Sequence, residues 1–174
     1  MKNTYTIKLD DNDLLYDVQV KTYLVAQGAT SDSAETRSVI QVDDAETANA
    51  QIRLSLDRAY NALCSSIPEY LDIYSDNVQG SDCLVVDGGP CDGECGYNGG
   101  YTITLLMPDN FHARMLRTAS AAAHSYMVHS AVAEWFTLVR KQEAEVHASI
   151  ATGAFNEFRQ ALDERERPCS RIIR

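Results

Sequence analysis

The feature that most constrains this chain is an apolar stripe in its C-terminal half. Leu116, Ala119, Ala123, Met127, Ala131, Trp135 and Leu138 recur at helical spacing. Such a run can bury its residues only as one long amphipathic helix, and its alanines let a second helix approach closely. A second series follows, Val146, Ile150, Ala154, Phe158 and Leu162, each four residues apart, with Gly153 as its weak link. Lys141-Gln142-Glu143 interrupts the apolar pattern and is where the chain is expected to turn. Pro168 stops the last helix because its ring and missing N–H break the ladder.

The N-terminal half contributes two more helices. Ala45, Ala48, Ile52, Leu56, Ala59 and Leu63 form a stripe behind Asp43, with Glu46 at capping-box spacing, and Pro68 marks its end. Residues 3–9 alternate as a short strand, and Asp10 to Asp13 offer candidate helix caps. Leu14 to Ala26 reads two ways. Tyr16, Val18, Val20, Thr22 and Leu24 alternate as in a strand, whereas Leu15, Val18, Thr22 and Val25 form a helical stripe. Local β-propensity favours the strand; the overall layout favours the helix, and the helix is the assignment taken. Gly28 to Ser38 reads as a polar loop.

Residues 70–107 differ in kind. Asp82–Asp87 and Tyr101–Met107 are β-rich runs joined by a connection holding six glycines, at 88, 89, 93, 96, 99 and 100. This predicts an inserted β-hairpin over about 82–107 whose tip packs little within its own subunit and is ordered by a neighbouring chain. The predicted fold is therefore mainly α, a four-helix bundle in a single domain, 1–174. Its helices lie near 12–27, 44–66, 109–140 and 143–167, with a β-hairpin insertion at 70–107, a short N-terminal strand and a tail at 168–174. The core is predicted to set Ile52, Leu56 and Leu63 against Met127, Trp135, Ile150, Phe158 and Leu162.

Composition narrows the function classes. A net charge of −10 argues against nucleic acid as a bound partner, because phosphate contacts need a basic face. It suits either a wall past which DNA slides without sticking or a plain solubility device. No run approaches the roughly 20 apolar residues of a membrane span, and the first ten residues carry Lys2, Lys8 and Asp10, unlike an export signal. Assembly in a cytoplasm is expected, with the five cysteines as thiols.

No catalytic constellation stands out. Cys83, Cys91 and Cys95 are weak metal candidates, since the second close pair of a zinc site is missing and Cys91–Cys95 is not a C-x-x-C redox pair. Asp87, Asp92 and Glu94 do not keep the register of a calcium loop. His124 and His129 are five apart and do not share a helical face as a metal-binding pair would. Trp135-Phe136 reads as core. The expectation is a protein without cofactor or metal that is not an enzyme; the alternative is a small metal-binding module built on those cysteines.

The order of elements is similar to that of head–tail connector (adaptor) proteins of tailed bacteriophages, especially those of phages infecting gut Bacteroidetes. The segments that carry the resemblance are "YTITLLMPDNF" (101–111), "YMVHSAVAEWF" (126–136), "KQEAEVHASIATGAF" (141–155) and "RERPCSRIIR" (165–174). The resemblance implies a virion protein of the neck, lining the DNA exit channel between portal and tail as a ring, typically of twelve copies. Its partners would be the portal and tail or other neck proteins, with no membrane and no specific DNA binding; a head- or tail-completion protein is the near alternative. It also implies that the closing segment, Arg165 to Arg174, docks on the portal. Within it Arg167, Pro168, Arg171, Ile172, Ile173 and Arg174 are the candidates, since two isoleucines flanked by arginines gain nothing in water. Gly88, Gly89, Gly99 and Gly100 are the candidates for the inter-subunit hairpin.

Overall fold

The computed structural model describes residues 2–28, 41–42, 46–71 and 100–165. Its elements are β1 (Lys2–Asp10), α1 (Asp11–Gly28), α2 (Glu46–Ser65), β2 (Gly100–Pro108), α3 (Met115–Val139) and α4 (Lys141–Asp163). Among the described residues the protein is mainly helical, with four helices and an antiparallel two-stranded sheet.

β1 and β2 pair along their whole length, with Tyr5 opposite Leu105, Ile7 opposite Ile103 and Leu9 opposite Tyr101. The predicted strand at 101–107 is thus present, and its partner among the described residues is the N-terminal strand, more than half the chain away in sequence. The other expected arm, 82–87, lies outside the described residues. β1 alternates, burying Ile7 and Leu9 and exposing Thr4, Thr6 and Lys8, as a strand with one wet face should. β2 is buried on both faces from Ile103 to Leu105, and its far edge is held by Leu106 N–H donating to Tyr70 O at 2.7 Å.

α1 follows β1 directly. Asp10 is its cap: Oδ1 accepts from the N–H of Asn12 at 2.8 Å and of Asp13 at 3.2 Å. The ambiguous segment is therefore helix. It buries Leu14, Leu15, Val18, Thr22 and Ala26, while Tyr16 and Leu24, which a strand would have put inside, are 65% and 62% exposed. Thr22 also takes the Val42 N–H on its hydroxyl at 3.3 Å, tying the approach to α2 onto α1. Asp43, the expected cap of α2, lies outside the described residues.

α3 is the central helix, packed by α1, α2 and α4. Its seam with α4 is built from small residues on both sides. Ala119, Ala122, Ala123 and Ala131 are buried on α3, and Ala144, Ala151, Ala154 and Ala161 on α4, so the two backbones come close. The turn between them is Arg140 alone, extended at φ −146° and ψ 89°, whose N–H donates to Phe136 O at 2.7 Å. Lys141-Gln142-Glu143, expected to be the turn, instead forms the first turn of α4, where Glu143 suits the helix N-terminus. α3 starts at Met115 rather than near 109, because Pro108 to Arg114 are used in tight turns that seat Phe111 against Tyr5, ring centroids 5.4 Å apart. α4 ends at Asp163, short of the expected 167.

The core contains Ile52, Leu56, Leu63, Met127, Phe158 and Leu162 as expected. Two expected members differ. Ile150 is 43% exposed, and Trp135 is only partly buried while Phe136 is sealed. The cause is geometric. Residues four apart drift by about 40° per step on a helix of 3.6 residues per turn, so a series from 146 to 162 cannot stay on one face. Position 147 takes the inward place that Val146 and Ile150 leave.

Candidate functional site

Among the described residues, two polar constellations lie inside the fold and a cationic groove lies on its surface. The first constellation joins α1, α2 and β2. Asp11, 1% exposed at the start of α1, accepts from Arg53 Nε at 3.0 Å. One turn on, the buried Asp57 accepts from the Tyr101 hydroxyl at 2.8 Å, and Tyr60 donates to Thr102 O at 2.7 Å. Burial pushes the Asp11 carboxyl above the usual carboxylate range, with Arg53 pulling against it. Burial, then the hydrogen bond to Asp57, raises the Tyr101 phenol, so it remains a donor. These groups are matched to one another and act as a polar clamp where sheet and helices meet.

The second constellation is a histidine pair across the α3–α4 seam. His129 Nδ1 and His147 Nδ1 are 2.8 Å apart, with rings stacked at 26° and Phe136 beside His147. At that distance one nitrogen carries the proton and the other accepts it, which requires at least one neutral ring. Burial first, then Lys21 and His147, lowers His129 to about 4; burial also lowers His147, with Glu143 opposing. Both rings are neutral at pH 7. Among the described residues no cluster of three or more metal-ligating side chains accompanies them. Comparing His124 with His129 along one helix misses this pair, because the partner comes from the next helix. His124 itself lies 3.8 Å from Asp17 of α1.

The groove, of about 600 Å³, runs between β1 and the start of α3. Thr6 and Lys8 form one wall; Arg114, Leu116, Arg117 and Ser120 form the other. Lys8, Arg114 and Arg117 are exposed, and among the described residues none of the three makes an ion pair. α3 begins beside them without an acidic residue in its first turn or a side-chain cap, so its N-terminal dipole adds to the positive potential. No sequence motif marked this groove, because its cations come from segments a hundred residues apart.

Of the residues expected to be functional, Gly100 is described. It opens β2 opposite Asp10 of its own chain, and a Cβ there would meet Leu9 O at 3.1 Å. Gly88, Gly89 and Gly99, the cysteines Cys83, Cys91 and Cys95, and the tail residues Arg167, Pro168, Arg171, Ile172, Ile173 and Arg174 lie outside the described residues. Arg165, where the docking segment was expected to start, is held by the fold. It bridges to Phe111, donates to Leu162 O at 2.5 Å and lies over the Tyr70 ring. Cys64 is half-buried, and burial pushes its thiol up, away from the reactive thiolate.

Comparison with known protein families, curated proteins and solved structures returned no match to this chain. Among the described residues no helix is long and apolar enough to cross a membrane.

Proposed function

We propose that this chain is a structural subunit of a phage neck, a head–tail connector that assembles into a ring between portal and tail. One observation carries the reading: two apolar ridges face outward on different helices. On α1, Tyr16 and Tyr23 are 65% and 45% exposed and stand two turns apart on one face. On α4, Val146 and Ile150 are 54% and 43% exposed and stand one turn apart. Single exposed apolar residues need no explanation, but paired ones at helical spacing form a surface that another protein can cover. Two unlike patches on one subunit favour head-to-tail association, which closes into a ring when the rotation permits.

The interior supports the same reading. The polar groups of the clamp and of the histidine pair are spent on interactions within the fold, so they serve rigidity. A rigid wedge with lateral contact faces is what a ring subunit requires, and the −10 charge keeps a passing duplex from adhering to its wall. Cross-linking mass spectrometry on purified particles containing the protein tests the assignment. Cross-links to the portal and to further copies of the chain are expected; cross-links confined to capsid-lattice or tail-tip proteins contradict it.

A further inference from the structure

We propose that the groove between the outer edge of β1 and the start of α3 docks an extended acidic polypeptide segment, which adds to the sheet alongside β1. The inference rests on the groove alone and is independent of the connector reading.

Among the described residues, the ladder shows which backbone groups are on offer. Leu106 N–H donates to Tyr70 O, and Thr102 O accepts from the Tyr60 hydroxyl, so the even-numbered peptide groups of β2 point away from β1. In an antiparallel pair, residues directly opposite each other point the same way relative to the ladder. Thr102 is opposite Lys8, Thr104 opposite Thr6 and Leu106 opposite Thr4. The N–H and C=O groups of Thr4, Thr6 and Lys8 are therefore directed outward from β1. The groove is lined by β1 and not by β2, which places it on this outer side.

The chemistry of the walls then selects the occupant. A strand edge presents donors and acceptors in alternation, and an added peptide strand matches both. A phosphate or a nucleic acid backbone could use the donors only. Lys8 by itself is the usual guard of an edge strand against unwanted pairing. Arg114 and Arg117 on the opposite wall are not needed for that purpose. They make the groove a cationic island on a chain whose 25 acidic residues outnumber its 15 basic ones. Leu116 adds a half-buried apolar side chain to the same wall as the two arginines. Carboxylates on alternate residues of an incoming strand would meet this wall, while neutral or basic strands would find no compensation for desolvating it.

The test uses the full chain and a short fluorescein-labelled peptide of alternating threonine and glutamate, read by fluorescence anisotropy. A threonine–glutamine peptide, a short oligothymidylate and inorganic phosphate as competitor are the controls. Saturable binding of the acidic peptide is expected, weakened at least about tenfold by glutamine in the probe or by Arg114→Glu with Arg117→Glu in the protein. Thr6→Pro removes one outward N–H at an edge position that tolerates proline, and is expected to weaken binding by a similar factor. Should that variant fold poorly, hydrogen exchange on the wild-type chain gives the same information: the Thr6 and Lys8 amides are expected to slow when the peptide binds. Three results would overturn the proposal: no binding at about 1 mM peptide, competition by phosphate or oligothymidylate at equal affinity, or binding without protection of those amides.

Discussion

His129 on α3 and His147 on α4 share one hydrogen bond, Nδ1 to Nδ1 at 2.8 Å, in a seam otherwise made of alanine and apolar residues. The bond needs a neutral acceptor, so the seam is sensitive to acid. Lys21 of α1 disfavours a proton on either ring, and Glu143 favours one on His147. The folded chain binds protons at His129 less readily than the unfolded chain, whose histidine titrates near 6.5. Stability supplied by the neutral pair is therefore complete above about pH 6.5 and falls as the pH drops toward 4. With solvent screening of a half-exposed ring, the loss at pH 4.5 should be roughly 1–2 kcal/mol. Urea unfolding at pH 7.5 and pH 4.5 measures it. His129→Gln should flatten the difference between the two; an unchanged pH dependence in that variant would show that the carboxylates alone cause it.

Gly153 offers the opposite opportunity. It sits exposed in the middle of α4, and a Cβ there would meet nothing within 4 Å. Gly153→Ala should stabilise the protein by about 0.5–1 kcal/mol through the unfolded state and helix propensity. A loss of stability in thermal unfolding would mean that the exposed face of α4 is not as described.

The core predictions divide at neighbouring residues. Phe136 and Phe158 are fully buried, and replacing either by alanine should cost about 3–5 kcal/mol. Trp135→Ala should cost clearly less, since its ring is only partly covered. Equal losses at 135 and 136 would place the α3 face wrongly by one residue.

Tyr101→Phe isolates the polar clamp. The ring stays and the hydroxyl goes, so Asp57 loses one buried donor. Denaturant unfolding should show a loss of about 1–3 kcal/mol. A neutral result would mean that water replaces the phenol and that the clamp contributes little.

These cases show what local sequence carries. Helices α2, α3 and α4 were legible because alanine, leucine and isoleucine recur at three- and four-residue spacing. The assignment failed where periodicity had to be read to the residue. A strict four-residue series walks around the helix, so Ile150 was expected inside and His147 was not. For α1 local propensity pointed to a strand and only the overall layout gave the helix, which the Asp10 cap and the exposure of Tyr16 bear out. The groove was invisible for a different reason. Lys8 and Arg117 come to line one groove only through the tertiary fold, and nothing in either segment names its partner.

In the proposed connector, the outward ridges on α1 and α4 join copies of this chain into a closed ring. Native mass spectrometry of the purified protein, alone and as the Val146→Asp, Ile150→Asp variant, tests it most directly. A single discrete oligomer of several subunits is expected for the wild-type chain, and monomers with unchanged helicity for the variant. A wild-type chain that stays monomeric at the highest concentrations reached, or a variant that assembles as well as the wild type, would contradict it.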